Sequence, residues 1–335
     1  MKNISIAVLV AMLAGAPAMA NDTTAELATG GLVFVRNDNV EMRSEELFIS
    51  IDEIRVRYRF FNTSDQDVAV HVAFPMPDVR REEFDVNIPS DDPVNLLAFS
   101  TRVNGRAVKA EVEQKAFAGD VERTALLREL KIPLAPHLDA TEAALRRLPP
   151  DKQDELVRLG VAEFEEYEDP ATGRKVRSLT PRWSLRTTFH WEQTFPANKE
   201  TLIEHRYKPS VGGTVMTSLG ATYARGESWQ DDYKKKYCIE QSTFDTLERS
   251  RRAAKSDGAP YMEERIDYIL KTGANWSGPI KDFRLVVDKK EASALVSFCG
   301  EGMKKISPTR FEMRKTDFTP DRNLSVLILR RLRER

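Results

Sequence analysis

Carboxylates are the residues of this chain whose spacing comes nearest to a catalytic pattern. Five of them crowd one stretch near the end of a helical region, at Glu163, Glu165, Glu166, Glu168 and Asp169. Two facing carboxylates can act as acid and base on a glycan, and a cluster can bind a hard cation. A run of like charges is more often a solvated face, so we predict no catalytic residue among them.

Histidine spacing gives no sign of a metal site. His71, His137, His190 and His205 lie far apart, without an HxH or HExxH pattern, whereas metal ligands usually cluster on one element. His190 and His205 approach each other if "PANKE" joins their strands as a hairpin, where a hydrogen-bonded or stacked role is favoured over a ligand or base. The chain also has no G-x-S-x-G elbow and no phosphate-binding G-K-[ST] ending. We therefore predict no catalytic residue, no metal and no cofactor.

The N-terminus has the pattern of an export signal. Residues 1–20 contain Lys2, an apolar run from Ile4 to Leu13, and a small-x-small site at Ala18 and Ala20. We predict a signal peptide over 1–20, a bacterial periplasmic or secreted location, and no transmembrane segment after cleavage. In that oxidising environment Cys238 and Cys299 are expected to form a disulfide; a reactive thiol is the alternative.

Aromatic residues offer one candidate binding surface. Trp183 and Trp191 share the period-two face of a strand and are expected in the core, whereas Trp229 and Tyr233 stand among charges on a short predicted helix. Exposed indole rings stack on sugars, so Trp229 and Tyr233 are the candidate surface, with a helix packed on a sheet as the alternative. The 51 basic and 52 acidic residues nearly cancel, which predicts no nucleic-acid partner.

Alternating apolar residues dominate the first part of the chain. Ile54, Val56, Tyr58 and Phe60 alternate with three arginines, and the stretch from Val68 to Phe74 alternates in the same way. This period of two predicts half-buried antiparallel strands, and Asn104-Gly105 predicts a tight hairpin turn. We predict an antiparallel β-sandwich over 21–215.

The middle and the end of the chain change this pattern. Helical periodicity over 117–130, and helix starts at Asp139 and Asp151, predict a helical insertion over about 117–180. Residues 216–335 predict a smaller, disulfide-fastened β-rich domain with strands at 264–270, 282–288, 293–299, 310–315 and 323–329. The fold class is mainly β with a helical insertion (α+β).

Several segments carry a family resemblance. "NDTTAELATGGLVF", "VRYRFFNTSDQDVAVHVAFPMPD" and "LVSFCGEGMKKISPTRFEMRKTDFTPDRNLSVLIL" resemble the exported bacterial proteins grouped as domain of unknown function 4424, over nearly all of the chain. The resemblance implies an exported β-rich protein and supplies no catalytic residues. A weaker similarity, at "FPMP" and "VNGRAVKAEVEQKAFA", is to the vault and inter-alpha-trypsin-inhibitor β-sandwich, which implies an interaction scaffold.

Together these patterns predict a non-enzymatic exported scaffold or binding protein of the bacterial cell envelope, whose partner is an envelope protein or polymer. The alternatives are a carboxylate-dependent hydrolase and a glycan-binding module acting on envelope polymers. The hydrolase requires two carboxylates roughly 5 to 10 Å apart in a concave site.

Overall fold

The fold is taken from a computed structural model of the chain. It describes residues 22–28, 31–80, 87–168, 173–224 and 226–332. The predicted signal peptide over 1–20 and the carboxylate of Asp169 lie outside the described residues.

Strands form most of the regular structure, as predicted. In chain order they are β1 Thr23–Ala28, β2 Gly31–Val35, β3 Val40–Ser50, β4 Ile54–Asn62, β5 Val68–Pro75, β6 Val79–Arg80, β7 Ser100–Val103, β8 Arg106–Val108, β9 Glu111–Ala118, β10 Val121–Glu122, β11 Ala162–Glu168, β12 Lys175–Pro181, β13 Ser184–Phe195, β14 Glu200–Tyr207, β15 Gly212–Thr214, β16 Tyr261–Tyr268, β17 Ile280–Asp288, β18 Leu295–Phe298, β19 Lys304–Lys305, β20 Arg310–Phe318 and β21 Leu324–Arg331.

Helices occupy two parts of the chain. They are α1 Thr124–Glu129, α2 Asp139–Arg146, α3 Pro150–Arg158, α4 Trp229–Tyr237 and α5 Gln241–Ala254, with short 3-10 helices at Thr222–Ala224 and Lys271–Asn275. The fold class is therefore mainly β with a few helices, which confirms the sequence prediction.

Two large sheets pack face to face. The seven-stranded sheet has the order β10-β9-β13-β5-β1-β2 with β6 beside β13, and the eight-stranded sheet has the order β19-β20-β17-β3-β4-β14-β7-β8. Alternate residues such as Val56 and Phe60 on β4 meet Phe74 and Trp191 of the facing sheet in one core. The alternation that predicted strands thus also selects their buried face.

The turn between β7 and β8 confirms the predicted hairpin. Asn104 and Gly105 both have positive φ, at 49° and 79°. A two-residue primed turn requires that conformation, and asparagine and glycine adopt it most readily.

Strands from the C-terminal part complete the eight-stranded sheet. β17 pairs in parallel with β3 over Asp282–Asp288 and Ser44–Ser50, and β20 pairs with the other edge of β17. The sequence predicts these strands in a second domain beginning at residue 216, whereas their backbone hydrogen bonds join them to β3 in the eight-stranded sheet. Periodicity identifies a strand without identifying its neighbour, which explains the difference.

The helical insertion has a core of its own. Leu127, Leu145 and Leu156, one from each helix, pack with Trp183, and the β11–β12 hairpin closes the insertion. The predicted helix over 117–130 is wrong in its first half. Gly119, with a φ of 59°, allows a tight turn, so residues 117–118 and 121–122 pair as β9 and β10. The helix starts only at Thr124.

The four-stranded sheet, of order β15-β16-β21-β18, lies between the main core and the α4–α5 pair. Val326 and Ile328 of β21 belong to the main core, whereas Leu327 and Leu329 pack with Leu247 of α5. β21 is thus buried on both faces. A disulfide joins Cys238, at the end of α4, to Cys299 after β18, with a Cα–Cα distance of 4.9 Å.

Candidate functional site

The carboxylates singled out from the sequence lie on a strand. Glu163, Glu165, Glu166 and Glu168 belong to β11, and alternation directs the first two to one face and the last two to the other. Glu163 forms an ion pair with Arg182 at 2.6 Å. Across the described ranges, histidine, cysteine and acidic side chains form no group of three that could hold a metal ion.

The histidines fall into different environments. The rings of His71 and His190 lie 6.0 Å apart on the seven-stranded sheet, whereas His205 points into the core from the eight-stranded sheet. Because β13 and β14 join different sheets, their connection is not the hairpin on which the expected approach of His190 and His205 depended. Burial lowers the pKa of His190, an effect that nearby Glu111 opposes and His71 reinforces. Burial also lowers the pKa of His137.

A buried polar cluster fixes the start of the described chain. His205 Nε2 lies 2.8 Å from Asp22 Oδ1, and both side chains are fully buried. Trp276 donates from its indole nitrogen to the Asp22 carbonyl at 2.7 Å, while the hydroxyls of Tyr58 and Tyr268 are 3.2 Å apart. Burial raises the pKa of Asp22, and His205 opposes that shift. The cluster ties β1, β14 and residues 271–276 together.

The predicted aromatic surface is only partly open. The Trp229 side chain is 39% exposed, and its ring meets the Tyr233 ring edge-on at 6.0 Å. Tyr233 donates its hydroxyl hydrogen to Glu263 at 2.6 Å and packs against the α4–α5 core. Burial, together with the charge of Glu263, raises the pKa of Tyr233. Trp229 is the more accessible ring of the two, and its sugar-binding role stays a prediction.

A groove of about 580 Å³ lies on the outer face of the eight-stranded sheet. It crosses β17, β3, β4, β14 and β7 and reaches the loop before β20. Its lining contains six arginines and two glutamates, with Phe48, Val286, Ile306 and Ser100 beside them: the charged residues are Arg55, Arg57, Arg102, Arg206, Arg284, Arg310, Glu46 and Glu204.

Strand alternation produces this concentration of charge. On β4, Val56 and Tyr58 point into the core, so Arg55 and Arg57 point outward. The neighbouring strands follow the same rule: Arg206 is the cross-strand partner of Arg55, and Glu204 that of Arg57. The charged side chains of the groove are thus those that point away from the core.

Several of these arginines share their carboxylate partners. Glu53 contacts both Arg55 and Arg206, which stand directly opposite each other. Glu312 likewise contacts both Arg284 and its cross-strand partner Arg314. Like charges placed directly opposite are destabilising in a sheet. Each shared carboxylate can neutralise only one of its two arginines.

Arg102 differs from the other arginines of the groove. It makes a hydrogen bond to the Gly105 carbonyl at 3.4 Å and, among the residues that the structure describes, no ion pair. By contrast Arg57 is held by Glu204 at 2.8 Å, and Arg310 by Asp288 at 2.9 Å. The cross-strand partner of Arg102 on β14 is Glu204, which is bonded to Arg57, so Arg102 is left without an ion pair among the described residues.

Part of the arginine cluster could be recognised in the sequence. The arginines of β4 were visible as the polar partners of an alternating strand, but the others are spread over distant segments. A charge-alternating strand is ordinarily a solvated face, so only the strand order could show that arginines from five strands meet in one groove.

No helix within the described residues is both long and apolar enough to cross a membrane.

The fold and the groove define an antiparallel sandwich protein with an arginine-lined concave face. The chain belongs to the family described as domain of unknown function (DUF4424), whose sequence profile matches residues 20–327. This confirms the family resemblance seen in the sequence. No curated protein matches the chain.

Two solved structures show distant likeness. One is a Legionella pneumophila protein provisionally described as nutrient binding, with 15% identity and a TM-score of 0.42 over 93% of this chain and 70% of that chain. The other is the M1 zinc metallopeptidase from Deinococcus radiodurans, with 8% identity and a TM-score of 0.23 over 88% of this chain and 43% of that one. Likeness at this level carries no statement about ligand or activity.

Proposed function

We propose that the protein is an exported, non-enzymatic binding protein of the bacterial cell envelope, and that its ligand is an anion held in the arginine-lined groove. The observation that carries the proposal is the groove itself, whose lining contains six arginines and two glutamates on a chain with a total charge close to zero. Glu53, Asp288 and Glu312, which do not line the groove, are bonded to four of these arginines, and Arg102 has no ion pair within the described residues. The export pattern at the N-terminus and the Cys238–Cys299 disulfide support an extracytoplasmic location.

The pairing of arginines favours binding over a purely structural face. Opposite charges meet across the strands at Arg57 and Glu204 and at Arg284 and Glu46, as on a solvated sheet surface. Like charges also stand directly opposite each other, because Arg55 faces Arg206 and Arg284 faces Arg314, and such pairs are destabilising. An anionic ligand would supply the charge that one shared carboxylate cannot. Guanidinium groups are also suited to this role because each presents a planar fork of donors to a carboxylate or phosphate.

Isothermal titration with inorganic tripolyphosphate and with citrate tests the proposal. We expect the wild-type protein to bind at least one of them, with affinity falling as salt rises from 20 to 200 mM, because the arginine side chains are exposed to screening. Losing a charge-assisted hydrogen bond corresponds to about 1.5–3 kcal/mol, so Arg102→Glu and Arg206→Glu should each weaken binding at least about tenfold.

Arg36→Glu is the matched control. Arg36 is similarly exposed and pairs with Asp38 at 3.0 Å, outside the groove, and the substitution changes the net charge by the same amount. Absence of binding by the wild-type protein, or an equal loss in Arg36→Glu, would count against the groove as the site.

One observation keeps the hydrolase alternative testable. Glu46 and Glu204 both line the groove, and they flank Arg57 in register on the two strands beside it. Their Cα atoms are therefore roughly 10 Å apart, which approaches the carboxylate spacing of inverting glycosidases. Release of soluble fragments from peptidoglycan, abolished by Glu46→Gln or Glu204→Gln, would replace the binding proposal with this one.

A further inference from the structure

The groove has an apolar end as well as a cationic one. Reading across the strands in register, Val286 on β17 lies beside Phe48 on β3, and Phe48 lies beside Arg55 on β4. Arg206 and then Ser100 follow on the next two strands. At the usual strand spacing this row spans roughly 19 Å, so apolar and cationic side chains succeed one another along one line.

Two further contacts define the apolar end. Ile306, in the loop before β20, lines the groove and is 46% exposed. The guanidinium carbons of Arg55 and Arg310 lie 4.6 and 5.8 Å from the centre of the Phe48 ring, so cationic groups border the aromatic ring. Ile306 and the half-buried Phe48 both line the groove, so apolar surface is in contact with water inside a concave site. Burying that surface under a ligand is favourable.

On the basis of the proposed anion-binding role, we infer that the ligand is an amphipathic anion, in which a phosphate or carboxylate head is joined to an apolar chain or ring. The head binds near Arg55, Arg206 and Arg102. The apolar part crosses the half-buried Phe48 toward the exposed Ile306, with the largely buried Val286 at the floor of the groove. A purely ionic ligand would leave the apolar end of the groove without a partner, and a neutral apolar ligand would leave Arg102 without an anion and Arg55 and Arg206 sharing one carboxylate.

Alkyl phosphates of increasing chain length test this inference by isothermal titration, each below its micelle-forming concentration. Each methylene that the apolar end covers should tighten binding about fourfold, the equivalent of ~0.8 kcal/mol. Hexyl phosphate should therefore bind more than tenfold tighter than methyl phosphate. Hexanol, which has the chain without the charge, should not bind detectably.

Ile306→Ser should lower the hexyl-to-methyl affinity ratio several-fold and leave methyl phosphate unchanged. Ile306 lies on an exposed loop, so this variant should fold normally. Val215→Ser is the matched control, because Val215 is 82% exposed and does not line the groove. It should leave both affinities unchanged.

The outcomes separate the two proposals. Binding of tripolyphosphate or citrate, with equal affinities for methyl and hexyl phosphate, would overturn the amphipathic ligand and retain the anion site. Failure of every anion to bind would overturn both. Binding to phosphatidylglycerol vesicles with no binding of monomeric hexyl phosphate would also overturn the inference, in favour of contact with a membrane surface.

Discussion

Removing the Cys238–Cys299 disulfide gives the most quantitative test of the described fold. The bond closes a loop with a sequence separation of 61 residues and ties the end of α4 to the residue after β18. Loop-closure entropy for that length is about 14 cal/mol/K, which corresponds to about 4 kcal/mol at 25 °C. The double variant Cys238→Ala/Cys299→Ala should lose roughly that free energy of unfolding, because its unfolded chain is less constrained.

Urea denaturation followed by tryptophan fluorescence measures the loss. Reductant should destabilise the wild-type protein by a similar amount and leave the double variant unchanged, which separates the bond from the packing of its side chains. Alkylation of the oxidised protein without reductant should leave both cysteines unlabelled. A double variant within about 1 kcal/mol of the wild type, or labelling of both cysteines in the exported protein, would refute the reasoning.

Three other predictions concern the core, the pH dependence and the insertion. Phe283→Ala, which removes a fully buried ring tilted against that of Phe318, should lower the free energy of unfolding by about 3–5 kcal/mol in one cooperative urea transition. Two separate transitions would instead favour an independent C-terminal domain. Because the pKa of His190 is lowered in the folded state, the unfolded chain takes up its proton first as pH falls below the ordinary value of 6.5. The stability that neutral His190 contributes above pH 6.5 is then lost on acidification. The Tm should therefore fall less between pH 7.5 and 5.5 in His190→Gln than in the wild type. Equal decreases in Tm would contradict this prediction. Replacing residues 119–178 with a short linker should leave a folded sandwich by circular dichroism, although Trp183 loses its cover; wholesale aggregation would show that the sandwich needs the insertion.

Strand positions could be predicted from the sequence far better than strand neighbours. The alternation from Ile54 to Phe60 predicted β4, and that from Val68 to Phe74 predicted β5. The five strands expected after residue 260 all occur within a few residues of their predicted limits. Each of these signals is local. The parallel pairing of β17 with β3 joins segments more than 200 residues apart, and no local pattern encodes it.

Helical periodicity failed where a turn competed with it. Val121, Ala125, Leu126 and Leu130 have the spacing of one helical face, but Gly119 lets the chain reverse and pair β10 with β9. Val121 is consequently 50% exposed, not buried on a helix. The arginine-lined groove could not be predicted for a related reason, since its arginines come from strands whose order had to be known first.

Because β3 pairs in parallel with β17, the N-terminal and C-terminal parts of the chain both line the groove. β17 and the loop before β20 supply Arg284, Val286 and Ile306, while β3, β4, β14 and β7 supply the other wall. A ligand that contacts both walls binds only the folded protein, in which β3 and β17 are paired. Ligand binding therefore stabilises the folded state by mass action. At 100 times its Kd the ligand should raise the free energy of unfolding by about 2.7 kcal/mol. A thermal-shift measurement with hexyl phosphate should show this increase for the wild type and lose it in Arg206→Glu; an equal increase in that variant would place the bound anion elsewhere on the molecule.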